Sequence, residues 1–563
     1  MRYVIGLMIC LMPAVSWACG GLFCNNAQPI NQAAERILFA LDGDQLHMHV
    51  RITYSGPPSE FGWLLPVPED VETTVSSEEL FVALDRRFAP RFNLRTEFDD
   101  NCPQPDFADE GFSGAVSASA ESADSAVEVL SREQVGPYDR TVIKSASIEA
   151  LRGWLNENNY QIPDAVDEKL LPYIDLGSAF VAIKLVPGRM SSDIVPLKLS
   201  FRGDQPTIPI IPTSVAANPD MGILVHLLGS SRAIPANYLH VVINEGAIDW
   251  LSGGQNYADV VSQAADEAMG QAFATDFAGL HEGRVTLPLV DEMMLTRIEA
   301  IDEFDDAAAQ LLETLLFSNL NGFDAFDADI QREMTSSLML PADFDQTPEQ
   351  VLQCLRCPDN LMAVQVDGAA LAMKLRALNE IRADLNALLI KNPYLTRLYS
   401  TMSPDEMTLD PVFAFNRDLE DVANVRTAVR RVRCSNGDID MDDSVIETAS
   451  GQMIQLEAGT IPSVIMRQDG QTMRGVGVPA AALIERQQVA GQSEVIDDRT
   501  DLLMQAEVPM RTGDDGTSGA GCACDTGGGD GGHFLWLFIF MVPPLRRHCT
   551  LKAGDRRKSM QAR

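Results

Sequence analysis

Between Leu46 and Val67 the chain alternates. Leu46, Met48, Val50, Ile52 and Tyr54 are separated by His47, His49, Arg51 and Thr53, and after Gly56, Pro57 and Pro58 the period returns in Phe61, Trp63, Leu65 and Val67. A two-residue period gathers one set on a single face of a strand, because successive Cβ atoms point to opposite sides. The stretch predicts two paired, half-buried strands, the first sheet edge on which later segments pack. It constrains a fold and names no activity.

The rest of the N-terminal region supplies partners for that edge. A strand is expected over 36–41, closed by an Asp42-Gly43 turn. Ser76 or Ser77 can cap a helix through Leu80, Phe81, Leu84 and Phe88, with Glu78 and Glu79 near its positive end. Residues 99–126 are rich in Asp, Ser, Ala and Gly and read as a loop. Strands follow over 127–135 and 141–144, helices from Ser147 and over 165–173, and a strand over 180–186. Pro196, Pro206, Pro209 and Pro212 cut the next stretch into short strands over 195–201, 207–211, 222–228 and 238–243. The fold class is α+β: a mixed sheet with helices laid on one side.

Past residue 250 the pattern turns helical. Ala258, Val261, Ala265, Ala268, Met269 and Phe273 mark the buried side of a helix over 256–277, and helical spacing continues through 302–317, 348–354 and 370–389. Turn-rich pieces at 393–399, 404–407 and 410–415 close this region, and short strand-like pieces fill 422–495. The organisation reads as a leader over 1–18, an α+β domain over 19–250, a mainly helical region over 251–420 and a small β-rich module over 421–500. A Gly/Asp/Cys-rich linker over 501–533 and an apolar segment with a basic tail over 534–563 complete it.

Charge removes one class of partner. The formal net charge is −37. Without Arg2, the seven Lys and Arg from Arg546 onward and Asp555, 35 basic residues face 79 acidic ones. Such a surface repels the phosphate backbone, so nucleic-acid binding is excluded.

Compartment is read from the two ends. Met1 to Tyr3 is a short basic start, 4–15 is apolar, and Ser16-Trp17-Ala18 precedes Cys19 as a small-x-small cleavage site, so the chain is expected to be exported. Ser16 stands where lipoprotein leaders place Leu, Val or Ile, which favours ordinary cleavage after Ala18 over lipidation of Cys19. At the other end, the apolar run 534–545 precedes Arg546 and Arg547. Twelve residues reach about 18 Å as a helix against a hydrocarbon core of roughly 30 Å. With the basic stop behind it, the run is expected to associate with the envelope membrane.

In an oxidising compartment Cys19, Cys24, Cys102, Cys354, Cys357 and Cys434 are candidates for up to three disulfides, with 15 possible pairings. Cys354 and Cys357 have the spacing of a redox pair, but a structural bridge is the simpler reading, and zinc lacks its other ligands. Asn436, Asp438 and Asp440 occupy positions 1, 3 and 5 of a calcium loop and Glu447 its position 12. Met441 replaces the glycine that such a loop needs, so an Asp-rich turn is the first reading and weak calcium the second. No other cofactor is expected. His47 and His49 share a strand face as a metal pair would, but no third ligand is identifiable and two exposed strand residues are the first reading; Asp324, Asp327 and Asp329 show less pattern still. Nucleophile elbow, zinc helix and phosphate-loop motifs are absent.

Four segments carry a family resemblance: Ala18 to Cys24, Ala34 to Ala40, Phe61 to Pro68, and Leu395 to Phe413. Together they resemble the bacterial family called domain of unknown function 2330, over about residues 19–434. The resemblance implies a secreted or surface location and supplies no catalytic residues. The tail is similar to tripartite sorting signals of Gram-negative bacteria, in which Cys522 or Cys524 would be the processed cysteine. The leading reading is a non-enzymatic, disulfide-stabilised envelope protein with a protein or glycan partner of unknown identity. An extracellular hydrolase and a calcium-stabilised adhesion module are the alternatives. Buried ionisable groups clustered in a deep cleft would count against the first, and a carboxylate joining His47 to His49 would favour the second.

Overall fold

In a computed structural model the described residues are 31–55, 61–98, 128–160, 165–189, 193–301, 307–317, 323–357, 359–360, 364–435, 438–456, 464–466, 472–474, 479–505 and 508–509. Ten strands form the main sheet. In spatial order they are β24 (Glu494–Asp498), β23 (Ala481–Arg486), β12 (Leu239–Ile243), β13 (Ala272–Leu280), β16 (Tyr394–Met402), β10 (Ala217–Gly229), β1 (Asn31–Asp42), β2 (Gln45–Ser55), β9 (Leu197–Arg202) and β4 (Glu72–Val75). The sheet is mixed, since β1 runs parallel to β10 and antiparallel to β2, while β12 runs parallel to β13.

A second sheet, β3 (Gly62–Val67), β8 (Ala179–Leu185), β7 (Tyr138–Lys144) and β6 (Glu128–Val135), stacks on the first. The alternation in β2 explains why. Met48, Val50, Ile52 and Tyr54 pack with Trp63, Leu65, Tyr138, Val142, Val181 and Ile183 in one core between the two sheets. Burying such side chains contributes about 1.5–3 kcal/mol each. Leu64, Ile143, Phe180 and Ala182 point the other way, against α2 (Ile148–Glu157) and α3 (Val166–Asp175). Ser147 Oγ caps α2 by accepting from Ala150 N at 3.2 Å, as its sequence predicts.

The opposite face of the main sheet is covered as well. Leu38, Ala40, Leu228 and Leu395 pack on α1 (Glu78–Phe88) and on a 24-residue helix, α9 (Gly368–Lys391). The layers therefore run helix, sheet, sheet, helix, where the sequence predicts helices on one side of a single sheet. Two readings change with this. The 61–67 segment pairs with β8 rather than β2, because Leu64 and Pro66 make it an apolar run buried on both faces. On the other face of β2, His49 is buried beside Ser76, just before α1, while His47 is half-buried beside Ser200.

The helical region has its own core, built by α5 (Glu292–Glu299), α6 (Ala307–Phe317), α7 (Ala328–Thr335), α8 (Pro348–Gln353) and the start of α9. Yet 251–420 is not purely helical. The helix expected over 256–277 stops as α4 (Tyr257–Glu267), since Met269 at φ +66° and Gly270 at φ +75° turn the chain into β13. A Cβ at Gly270 would stand 2.1 Å from the Glu406 carboxylate, so glycine is needed there twice over. The expected turn at 393–399 is β16, inside the main sheet.

The 421–500 segment divides between two sheets. β23 and β24 extend the main one. β18 (Val425–Ser435), β19 (Asp438–Thr448), β20 (Met453–Leu456) and β25 (Val508–Pro509) join β5 (Arg91–Phe98) in a five-stranded sheet. Three two-stranded ribbons complete the described strands: β11 (Arg232–Pro235) with β17 (Phe413–Asn416), β14 (Leu338–Met339) with β15 (Gln365–Val366), and β21 (Val464–Met466) with β22 (Thr472–Arg474). One main sheet thus draws strands from all three expected regions, and boundaries at 250 and 420 do not break it.

Candidate functional site

The face of the main sheet that carries α1 and α4 holds a row of charges. Register aligns Arg36 of β1 with Leu224 of β10, and Leu224 with Tyr399 of β16; one pair further along, Leu38, His226 and Arg397 line up. Arg397 is buried and reaches Asp276 of β13 on one side and Asp85 Oδ1 of α1, at 3.1 Å, on the other. Arg36 takes the second oxygen of Asp85, and Tyr257 of α4 donates to the second oxygen of Asp276. The result is a chain of alternating sign: Arg36, Asp85, Arg397, Asp276, Tyr257.

Burial shapes its protonation. It raises the Asp276 carboxyl, an effect partly offset by Arg397, and pushes the Tyr257 phenol well up. Desolvation, helped by the Arg397 charge, holds His226 down at about 3, so its imidazole is neutral near pH 7.

Beside this row α1 and α4 leave a cleft of about 530 Å³. Gly222 opens its floor, where an added Cβ would sit 3.4 Å from Tyr399 Oη. Asp220, at φ +53°, turns the chain at its rim and its N–H donates to Ser403 Oγ at 3.1 Å. Asp85, Asp220, Asp259, Arg36 and the hydroxyl residues Ser262 and Tyr399 line the walls. Thr401 also lines it, 5% exposed, and its Oγ1 has no hydrogen-bond partner among the described residues. A buried hydroxyl without a partner costs roughly 1–3 kcal/mol.

A second polar constellation lies elsewhere in the sheet, at β12, β13 and β23. His240 Nε2 is 2.8 Å from Thr275 Oγ1 and His240 Nδ1 is 2.9 Å from Glu485 Oε1. Burial opposes ionisation of Glu485, yet the adjacent His240 imidazole together with Gln487 and Ser493 holds its carboxyl at about 2. The separations are those of a nucleophile, base and acid relay, but His240 Nδ1 has no hydrogen-bond partner among the described residues, so its approach to Glu485 is not aligned as a hydrogen bond. Thr275 is itself buried and Arg232 donates to its hydroxyl at 3.2 Å, so the relay is packed into the sheet.

The residues singled out by sequence do not meet at the cleft. His47 Nδ1 lies 2.8 Å from Ser200 Oγ and His49 Nδ1 2.8 Å from Ser76 Oγ, so serines and no carboxylate join this pair. His49 is fully buried rather than an exposed strand residue. Asp438, Asp440 and Glu447 lie along β19 instead of curling into a loop; Asp440 pairs with Arg433 and Glu447 with Val429, which spaces the two acids by about 13 Å along the strand. Arg431 occupies Glu447, with Nε at 2.9 Å. Among the described residues no three His, Cys, Asp or Glu side chains are grouped to hold a metal ion.

Asp327 caps α7, accepting from Asp329 N at 3.1 Å and Ile330 N at 3.2 Å. Cys354 and Cys357 form a disulfide, with Cα atoms 5.5 Å apart. Cys434 falls in β18. Ala18, Cys19, Cys24, Cys102, Asn436, Cys522, Cys524 and the 534–545 run lie outside the described residues. Sequence reasoning missed Arg397, Tyr399, Thr401 and Asp276; the available signal was an arginine between apolar residues in Leu395-Thr396-Arg397-Leu398.

Fold and cleft together define a helix–sheet–sheet–helix protein with a charge-lined cavity over its main sheet. The chain belongs to the family described as uncharacterized protein conserved in bacteria, domain of unknown function 2330, whose profile matches residues 13–313, more than half of the sequence. The match stops short of the resemblance expected over 314–434 and so does not include β16. No curated protein matches. Among solved structures, the crystal structure of baculovirus P35 aligns at 10% identity over 36% of this chain and 66% of that one, with a TM-score of 0.21, too low to support any argument about fold or function.

Proposed function

We propose that this chain is an exported, non-enzymatic envelope protein whose cleft binds a small, hydroxyl-rich ligand such as a glycan fragment. The observation that carries this reading is a cavity lined by the hydroxyl residues Ser262, Tyr399 and Thr401, in which Arg36 and Arg397 are already paired with Asp85 and Asp276. Clustered buried charges were a mark against a binding role. Here each oxygen of Asp85 and Asp276 is committed to an arginine or a tyrosine, leaving neither carboxylate positioned as a general base. Hydroxyls and paired ions suit a ligand that both donates and accepts. Titration with a panel of monosaccharides and oligosaccharides by calorimetry is the test. Thr401→Val, which keeps the shape and removes the hydroxyl, should weaken binding by about tenfold; equal affinity in wild type and variant would remove the cleft from the proposal.

Export and anchoring rest on the leader, the Gly/Cys-rich linker and the apolar run before Arg546. Cell fractionation with mass spectrometry of the mature termini should find a start at Cys19 and processing near Cys522 or Cys524 in the envelope fraction. An intact Arg563 in a soluble fraction would end the anchoring idea. The hydrolase alternative draws on the Thr275, His240 and Glu485 geometry; progressive release of reducing ends from the glycan panel, abolished by Thr275→Val, would install it instead.

A further inference from the structure

The Cys354–Cys357 disulfide spans only three positions in the sequence, at the end of α8, where the chain is already held without it. Cys357 N donates to Cys354 O at 3.0 Å, Asn360 N to Cys357 O at 3.0 Å, and Asn360 Nδ2 to Cys354 O at 2.8 Å. Leu355, between the two cysteines, is 4% exposed and packs with Val351 and Leu352 in the core of the helical region, and Asn360 is fully buried. Hydrogen bonds and burial thus fix this turn. The bridge ties no second element to it, and a loop so short gains the least from closure. Cys354, by contrast, is exposed, as are its neighbour Gln353 and, one residue on from Leu355, Arg356; Cys357 is half-buried. A disulfide with little to hold and one exposed cysteine is open to attack by a second thiol.

We infer that Cys354–Cys357 is a thiol-exchange site, separate from the cleft, at which an external dithiol reduces the pair and an external disulfide restores it. A thiolate of the dithiol attacks Cys354 Sγ, on the more exposed cysteine. The new S–S bond forms as the Cys354–Cys357 bond breaks, and Cys357 leaves as a thiolate. The second thiolate of the dithiol then attacks its own partner sulfur in the mixed disulfide, and Cys354 leaves in turn. Two electrons and two protons pass to the cysteine pair, and the dithiol ends as a disulfide. The turn that sets the Cα atoms 5.5 Å apart rests on Leu355 and Asn360 and outlasts the S–S bond. That separation lies within the span a disulfide bridges, so the two thiols are kept ready to close again.

The probes are dithiothreitol as the dithiol, glutathione as a monothiol that stops at the mixed disulfide, and hydroxyethyl disulfide as the oxidant. The full chain is treated with each, natively and in denaturing urea, then acid-quenched, alkylated and digested for mass spectrometry. Trypsin cuts after Arg356, so each cysteine is read on its own peptide. Native reduction of the pair should run within about 10-fold of the unfolded rate, glutathione should be found on Cys354, and hydroxyethyl disulfide should return the reduced pair to the bridged form. The double variant Cys354→Ser/Cys357→Ser should keep the near-UV circular dichroism of wild type, since the fold does not rest on the bridge. Stronger protection in the native chain, glutathione mainly on Cys357, a reduced pair that does not close again, or a double variant without the native near-UV signal overturns the assignment; the first and last of these would make the bridge structural.

Discussion

Lowering the pH from 7 to 5 is expected to destabilise this protein by about 2 kcal/mol through His226 alone. The folded-state value near 3 lies below the ordinary 6.5, so the unfolded chain binds the proton more readily between those limits. Stability from the neutral imidazole is complete above pH 6.5 and falls as the pH drops toward 3. Buried His49 and His240 and half-buried His47 are lowered in the same direction by desolvation and contribute with the same sign. Asp276 and Asp410 act oppositely: their raised carboxyls take up a proton more readily when folded, which favours the fold as the pH falls through their own range. Urea unfolding at pH 7 and pH 5, in wild type and His226→Leu, isolates the term. The variant should lose about 2 kcal/mol of the pH dependence; identical slopes would mean that His226 is not held neutral by its surroundings.

Replacing Arg382 by Met should cost about 3–5 kcal/mol, the scale for breaking a buried ion pair from one side. The Arg382 side chain is 0% exposed and donates to Asp327 Oδ2 at 2.9 Å, Asp329 Oδ2 at 3.1 Å and Pro288 O at 2.8 Å. Asp329 in turn takes the N-terminus of α1, accepting from Glu78 N at 2.9 Å, Glu79 N at 3.2 Å and the Ser77 hydroxyl. The helix that places Asp85 in the cleft is thus held by a carboxylate about 250 residues away, and Ser77 donates to that cap instead of forming it. Denaturant unfolding of Arg382→Met checks the magnitude, and ligand titration checks the link from α1 to the cleft. A loss below about 1 kcal/mol would show that the two carboxylates find other partners.

Local chemistry made several elements legible. Alternation in 46–54 identified β2 with its buried face, Ser147 announced α2, and apolar spacing found α1 and α9. Phe273 misled because it continued a helical period across Gly270, where a left-handed turn ends α4. Leu395 to Met402 misled because a strand covered on both faces need not alternate: Arg397 reads as polar and exposed until Asp85 and Asp276 are placed on either side of it.

By itself the sequence determined the α+β class, the strongly acidic charge and the alternation that sends Met48, Val50 and Ile52 to one side. These depend on residue type and on neighbours a few positions away. Only the tertiary structure decided that His49 on the polar face of β2 would be buried beside Ser76, that a strand from 394–402 would enter the sheet beside β10, and that Asp329 would cap a helix far earlier in the chain. Each joins groups separated by tens to hundreds of residues, whose interaction depends on distance in space and on the water removed when the layers close, quantities that no local pattern encodes.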